Sequence, residues 1–238
     1  HSRRIQYNIM SIYAIADLHL SLSSSKPMDI FDGWENYISK LKTNWKNTVK
    51  NEDTVVIAGD ISWAMKLNDT LNDFTFIENL PGKKILLKGN HDYWWTTRNK
   101  IQTFFEKNNL KSLSILFNST IAVGDVCICG TKGVSVDIST QEDLKLESRE
   151  TIRLENSILQ AEQLNKKPIV FLHYPPICCN KKSPKILNVL LKHNIKQCYY
   201  GHIHGKNSRK RAFEGTYQNI EFHLISCDHI GFTPRLVK

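Results

Sequence analysis

Short apolar runs of strand length alternate with amphipathic segments through the first half of the chain. Three such runs cover residues 12–16, 54–58 and 84–88. Between and after them, apolar residues recur at intervals of three and four, which is the spacing of one helical face. The three faces consist of Trp34, Ile38, Leu41 and Trp45, then Leu67, Leu71, Phe74 and Ile77, then Ile101, Phe104 and Phe105, with Thr96 as the predicted N-cap of the third helix. This alternation predicts parallel strands joined by right-handed crossovers.

The second half of the chain has a different pattern. The polar segment 142–165 carries Leu154, Ile158 and Ala161 at helical spacing and predicts a long helix. Short strands are predicted at 114–117, 120–123, 126–130, 168–172 and 197–200, a helix at 186–191, and a hairpin within 213–226. The whole order predicts an α/β fold in which two mixed β-sheets pack as a sandwich flanked by helices.

The length of 238 residues suits one domain, which we assign to 10–238. Residues 1–9 precede Met10 and are expected to be a vector-derived remnant. No apolar run approaches the roughly 20 residues needed to cross a bilayer, and the basic start lacks the apolar centre of a signal peptide. We therefore expect a soluble, cytoplasmic protein with no membrane contact. Its six cysteines show no metal-binding or disulfide-scaffold spacing and are expected to be reduced thiols.

The formal net charge is +9, from 32 basic and 23 acidic side chains. Such a charge attracts anions, nucleic acids among them. Lysine and arginine are, however, spread along the chain rather than gathered in one block. Nucleic-acid binding is therefore possible but not favoured. A solvated face is the favoured interpretation of the basic clusters, and a phosphate-attracting rim is the alternative because the clusters at 181–185 and 206–211 flank site motifs.

Polar clusters stand where five of the predicted strands end. Ligands of an open α/β sheet bind outside the carboxyl ends of its strands, so these clusters are expected to converge. Mixed carboxylate and imidazole ligands suit Mn, Fe or Zn. A single histidine of this kind is more often a structural group, but the set predicts a metal site. The side chains are Asp17, His19, Asp60, Asn90, His91, His173, His202 and His204.

The order of these clusters is more specific than any one of them. In chain order they are Asp17-Leu18-His19, Gly59-Asp60, Gly89-Asn90-His91-Asp92, His173-Tyr174 and Gly201-His202-Ile203-His204. They resemble the calcineurin-like metallophosphoesterase superfamily over residues 16–204, and its bacterial-type phosphoesterase and phosphodiesterase branch in particular.

The resemblance implies two metal ions and a role for each residue. Asp17, His19 and His204 would bind the first ion, and Asn90, His173 and His202 the second. Asp60 would bridge both. His91 would be the catalytic residue at the leaving-group oxygen, with a ligand or supporting role as the alternative. Asp92 is expected to orient a neighbouring imidazole or a backbone turn.

The resemblance also implies hydrolysis of a phosphate ester by a metal-bound hydroxide. In the protein Ser/Thr phosphatase branch an arginine-bearing motif follows Gly-Asp, whereas here Gly59-Asp60 continues with Ile61 and Ser62. We therefore expect a phosphodiester substrate. A nuclease of the same fold and an inactive metal-binding scaffold remain the alternatives, and the oligomeric state is open. Trp63, Trp94, Trp95 and Tyr174 lie beside the motifs and either stack on a substrate or pack in the core.

Overall fold

The computed structural model describes residues 10–238, so the expected remnant at 1–9 lies outside the described residues. Most strands belong to two large sheets. In chain order the strands are β1 (Ile12–Ile15), β2 (Thr54–Ala58), β3 (Lys83–Leu87), β4 (Leu113–Ile115), β5 (Ile121–Val123), β6 (Val126–Thr131), β7 (Lys167–Leu172), β8 (Ile177–Cys178), β9 (Lys181–Lys182), β10 (Gln197–Tyr200), β11 (Gly215–Tyr217), β12 (Ile220–Leu224) and β13 (Arg235–Leu236). The α-helices are α1 (Tyr37–Thr48), α2 (Leu71–Glu78), α3 (Arg98–Lys107), α4 (Gln141–Gln163), α5 (Pro184–Lys192) and α6 (Lys206–Arg209).

Each large sheet has a core of parallel strands. The first sheet has the order β13-β1-β2-β3-β4 and the second the order β11-β12-β10-β7-β6-β5. Strands β1 to β4 run parallel to one another, as do β12, β10, β7 and β6. Strands β13, β11 and β5 pair antiparallel at sheet edges. The prediction of two mixed sheets is confirmed.

Apolar residues fill three layers. Ala14 and Val56 of the first sheet share one cluster with Ile128 and Phe171 of the second. Helices α1, α2 and α3 contribute to a second cluster on the other face of the first sheet, and α4 and α5 to a third cluster on the second sheet. Because parallel strands are covered on both faces, β2 is buried at every position. The architecture is therefore a helix-covered sandwich of two sheets.

The two sheets are joined at one end. The Ala16 N–H donates to the Ile225 carbonyl at 2.8 Å, and the Cys227 N–H donates to the Ala16 carbonyl at 2.9 Å. These bonds continue β1 beyond its last residue and bring it beside the chain that follows β12. The carboxyl ends of the parallel strands of both sheets consequently meet at one rim, which is where ligands of such sheets bind.

The predicted helices are present, with one correction at a cap. Helix α4 begins with a capping box, in which the Thr140 hydroxyl accepts from Asp143 N and the Asp143 carboxylate accepts from Thr140 N. The N-cap of α3 is Thr97 and not Thr96, because Thr97 places its hydroxyl to accept from Lys100 N. Within residues 10–238, no helix combines the length and apolarity needed to cross a membrane.

Candidate metal centre

All eight predicted site residues lie at the rim where the two sheets meet. Each follows a parallel strand: Asp17 and His19 follow β1, Asp60 follows β2, Asn90 and His91 follow β3, His173 follows β7, and His202 and His204 follow β10. Asp17, His19, Asp60 and His173 are buried, while the other four are partly exposed. The sequence prediction that these clusters converge is confirmed by this placement.

Asp60 lies at the centre of the site. Two groups of side chains each bring three potential ligand atoms within 4.8 Å of one another: Asp60 with His173 and His202, and Asp60 with Asp17 and His19. Asp60 Oδ2 lies 3.4 Å from His173 Nε2 and 3.8 Å from His19 Nε2. A single carboxylate oxygen therefore faces an imidazole of each group.

Asn90 belongs to the His173 side of the site. Its Oδ1 lies 2.7 Å from His173 Nε2 and 2.9 Å from His202 Nδ1. At the other ring nitrogen of His173, Nδ1 donates to the Ala58 carbonyl at 3.0 Å. This hydrogen bond fixes the orientation of the His173 ring and directs Nε2 towards Asn90 and Asp60.

His204 lies on the opposite side from His202. The His204 ring is centred 5.0 Å from the His19 ring, and the His202 ring 5.2 Å from the His173 ring. The turn after β10 thus sends the two imidazoles to different sides of Asp60. His204 itself stands outside the two groups whose potential ligand atoms lie within 4.8 Å.

His91 is held against Asp60 by its backbone rather than by its ring. The His91 N–H donates to Asp60 Oδ1 at 2.8 Å. The ring lies 4.6 Å from the Trp63 ring and 5.7 Å from the His19 ring, centre to centre. Its Nδ1 is buried without a hydrogen-bond partner among the described residues. Burial lowers the pKa of His91 despite the nearby negative charge of Asp60.

Burial and neighbouring charges shift the pKa values of the ionisable side chains in the centre in different directions. Burial raises the pKa of Asp17 to about 6. Burial would lower the pKa of His173, but the carboxylates of Asp60 and Asp17 outweigh it and raise that pKa to about 9. Burial lowers the pKa of His19 and of His202 to about 3. His19 and His202 are therefore neutral imidazoles with free lone pairs, the form that binds metal.

The buried polar atoms of the centre fit a cation. His19 Nε2 and Asp60 Oδ2 both lack a hydrogen-bond partner within residues 10–238, although water does not reach either atom. An unsatisfied buried polar atom costs about 1–3 kcal/mol, so native structures rarely leave two of them facing each other. A cation between them would satisfy both. Carboxylate, amide and imidazole donors together suit a transition metal such as Mn, Fe or Zn.

The backbone is strained where it presents these side chains. Asp17, His19, Asp60 and His202 have positive φ values of 59°, 45°, 51° and 70°. A left-handed conformation outside glycine costs about 1–3 kcal/mol and concentrates at functional sites. The neighbouring chain is also close, since a Cβ on Gly59 would lie 2.6 Å from His173 Nδ1 and 2.7 Å from the Gly89 Cα. Glycine at position 59 is required by this close approach.

Asp92 organises the loops that carry the centre. Its carboxylate accepts hydrogen bonds from the backbone N–H groups of Asp60, Ile61 and Gly89 at 2.7–2.9 Å, and from Trp94 Nε1 at 3.0 Å. The sequence predicted that Asp92 orients either an imidazole or a backbone turn, and in the structure its carboxylate binds backbone N–H groups of two turns. The spacing of Gly89-Asn90-His91-Asp92 does not indicate that Asp92 accepts hydrogen bonds from the turn after β2.

The flanking aromatic residues divide into two pairs. Trp94 and Trp95 are buried in the core, so core packing is the correct interpretation for them. The Trp63 ring stacks on the His19 ring with centres 4.8 Å apart, and the Tyr174 ring lies 4.3 Å from the His202 ring. Only Trp63 and Tyr174 among these four therefore contact imidazoles of the centre.

The cysteines are free thiols, as predicted. Cys178 and Cys179 line a cavity with His202 and His204. Burial raises the pKa of Cys178 to about 12, so this side chain is a thiol and not a thiolate at neutral pH.

Comparison with known proteins supports the fold and identifies the family. Residues 10–206 match the family model described as calcineurin-like phosphoesterase. The chain therefore belongs to the calcineurin-like phosphoesterase family. Members of this class depend on metal ions, and the Asp and His groups described above are able to hold them. The sequence has no significant match among curated proteins.

Solved structures with the same fold have low sequence identity. A protein of unknown function from Aquifex aeolicus is 18% identical over 95% of each chain, with a TM-score of 0.51. Phosphopantetheinyl hydrolase from Mycobacterium tuberculosis is 13% identical over 95% of each chain, with a TM-score of 0.53. A protein from Thermus thermophilus is 13% identical over 83% of each chain, with a TM-score of 0.55.

Proposed function

We propose that this protein is a dinuclear metal-dependent phosphoesterase that hydrolyses phosphodiesters in preference to phosphomonoesters. The observation that carries the proposal is the position of Asp60, which is common to both groups of potential metal ligands. A carboxylate has two oxygens and a negative charge that offsets two nearby cations, so it suits a bridging position. Two metals roughly 3.5–4 Å apart are typical of enzymes that hydrolyse phosphate esters.

Each side of Asp60 would hold one ion. Asp17, His19 and His204 form the ligands on one side. Asn90, His173 and His202 form those on the other side, where Asn90 Oδ1 already faces both imidazoles. Mn, Fe and Zn are the metals that this donor set favours. When bound, such ions activate a water molecule as the nucleophile and offset charge on the phosphoryl oxygens.

His91 is the residue proposed to act on the leaving group. Its backbone N–H is fixed on Asp60, so its ring stands beside the centre without belonging to either ligand group. An imidazole in this position donates a proton to the departing oxygen or stabilises its negative charge. Trp63 packs against the ring and limits its rotation.

The preference for diesters rests on the residues that follow Asp60. Ile61 and Ser62 are buried and occupy the place where the protein Ser/Thr phosphatase branch carries its arginine motif. A diester has one negative charge and needs less cationic support at the phosphorus than a dianionic monoester. The Tyr174 ring, beside His202, offers a surface for the second ester group.

The test is a substrate comparison with the Mn²⁺-loaded protein. We expect kcat/KM for bis(nitrophenyl) phosphate to exceed that for nitrophenyl phosphate at the same pH and metal concentration. A clear monoester preference would overturn the ranking. Hydrolysis of neither ester by a protein that holds two metal ions would favour the inactive scaffold instead.

Two further substrates sharpen this comparison. DNA tests the nuclease alternative, which the net charge of +9 favours. A phosphopantetheinyl ester tests the activity that the name of one structural neighbour gives, and the likeness of that neighbour to this chain is one of fold. We expect no cleavage of duplex DNA at physiological salt.

A further inference from the structure

A cavity of about 190 Å³ lies beside the metal centre, between the ends of β3 and β6 and helix α4. Its lining includes four cationic side chains, those of Lys88, Lys132, Arg149 and Arg153. We call it the basic cavity. Glu150 supplies a carboxylate to the same lining, and apolar residues such as Leu116 and Phe117 form part of the wall.

Most of this positive charge is uncompensated. Glu150 is buried and accepts from Arg153 Nη1 at 2.6 Å and from the Thr131 hydroxyl, so its carboxylate is already engaged. In contrast, Lys88, Lys132 and Arg149 make no side-chain hydrogen bond or ion pair within residues 10–238. Burial lowers the pKa of Lys132; the nearby negative charge of Glu150 opposes this shift, and the charges of Lys88 and Arg153 add to it. Three cations therefore line one cavity whose single carboxylate, that of Glu150, is hydrogen-bonded to Arg153 and Thr131 instead.

The basic cavity adjoins the metal centre on the side of Asn90 and His173. The Lys132 carbonyl accepts from the N–H groups of His173 and Tyr174 at 3.2 and 2.9 Å. Lys132 Nζ lies 5.8 Å from the centre of the Tyr174 ring, which in turn lies 4.3 Å from the His202 ring. Lys88 precedes the Gly89-Asn90 turn. Tyr174 therefore lies between Lys132 of the basic cavity and His202 of the metal centre.

We propose that the basic cavity binds a second phosphate group, carried on the same substrate molecule as the scissile phosphate ester. The proposal rests on the proposed function. Guanidinium and ammonium groups are the usual partners of phosphate oxygens, and their hydrogen bonds to an anion are among the strongest in proteins. Pockets that enclose whole ligands measure about 300–1,000 Å³, so this smaller cavity fits one group of a larger molecule.

The test uses bisphosphate esters of linear alkanediols with three, five and seven carbons as probes, and propyl phosphate as the reference. Each is titrated calorimetrically into the Mn²⁺-loaded protein. We expect at least one bisphosphate to bind about tenfold more tightly than propyl phosphate, because hydrogen bonds to charged groups are stronger than those between neutral groups. If no bisphosphate binds more tightly than propyl phosphate, the proposal is wrong.

Single substitutions locate the second contact. Arg149→Gln and Lys132→Gln should each reduce the ratio of bisphosphate to monophosphate affinity about tenfold. Lys145→Gln is the matched control, since Lys145 is exposed on the same helix α4 and does not line the basic cavity. If the ratio of bisphosphate to monophosphate affinity is the same in all three variants and in the native chain, the second phosphate binds elsewhere and the proposal is wrong.

The binding experiment tests the basic cavity independently of the hydrolysis assays that test the proposed function. Calorimetry detects binding even when no ester is hydrolysed, so a protein that binds bisphosphates tightly but hydrolyses no ester would contradict the proposed function alone. A protein that hydrolyses bis(nitrophenyl) phosphate but shows no bisphosphate preference would contradict the basic-cavity proposal alone.

Discussion

The backbone N–H of Asp60 donates to Asp92 Oδ2 at 2.9 Å, so one buried carboxylate fixes the position of another. Asp92 also accepts from Gly89 N, and thereby ties the turn after β2 to the turn after β3. Asp60 and Asn90 lie on these two turns. Asp92 therefore sets the distance between Asp60 and Asn90, although Asp92 itself belongs to neither group of potential metal ligands.

Asp92→Ala should destabilise the fold and the centre together. It would leave several buried N–H groups without an acceptor, each at a cost of about 1–3 kcal/mol. We expect the free energy of unfolding in urea to fall by at least about 3 kcal/mol. Asp69→Ala, at an exposed position, is the control and should change it by no more than about 0.5 kcal/mol. Similar effects of the two substitutions would show that Asp92 does not hold these turns.

Asp60→Ala should reduce the amount of bound metal more than the substitution of any single histidine does. Its carboxylate is common to both groups of potential ligands, whereas His19 and His202 each belong to one. After dialysis against Mn²⁺-free buffer, elemental analysis should find less metal in Asp60→Ala than in His19→Ala. Retention of two ions by Asp60→Ala would refute the bridging role.

His91→Ala should separate catalysis from metal binding. If the His91 ring acts on the leaving group, the variant keeps its metal content and loses roughly 10²–10⁴-fold in kcat, the range of a positioned acid or base. The loss should shrink for nitrophenolate, which departs without a proton, and grow for an alkyl leaving group. Loss of metal together with activity would instead identify His91 as a ligand.

Lys84 provides a pH-dependent prediction away from the metal centre. Its Nζ is buried and donates to the carbonyls of Leu80 and Glu78 and to the Ser112 hydroxyl. Burial lowers the pKa of Lys84 to about 8, although Glu78 opposes the shift, while the ordinary value is 10.5. Between these two pH values the unfolded chain binds more protons than the folded chain, so stability rises with pH.

The comparison variant for this prediction is Lys84→Met. We expect the free energy of unfolding of the native chain, minus that of Lys84→Met, to be flat below pH 8 and to increase from pH 8 to 10.5. Subtraction removes the titration of all other groups. A difference that stays constant, or that falls over this interval, would show that the Lys84 ammonium is not disfavoured by burial.

The strands and the placement of polar clusters at their carboxyl ends were predictable because the local pattern carries both. A strand such as β2, buried on both faces, is a continuous apolar run, and the polar residue that ends it marks the rim. Asp60 follows β2 directly after Gly59, and His173 follows β7 without a gap. Convergence within each sheet then follows from parallel strand direction, without knowledge of the strand order, whereas convergence between the two sheets depends on their junction at Ala16.

Features that depend on the exact backbone conformation at a helix start, or on packing between distant segments, were not predictable. Thr96 and Thr97 are both able to cap a helix, and the choice depends on which one is extended before α3. The hydrogen bonds of Asp92 to the turn after β2 arise from the pairing of β2 with β3. The basic cavity requires Lys88, Lys132 and Arg149, which come together only when α4 packs beside β6.

A metal titration tests the central claim most directly. The protein is stripped with a chelator, Mn²⁺ is added stepwise, and bound metal and hydrolysis of bis(nitrophenyl) phosphate are measured at each step. The account predicts no hydrolysis without metal and activity that rises until two equivalents are bound. Full activity in the metal-free protein, or activity that saturates at one equivalent, would contradict a dinuclear centre built around Asp60.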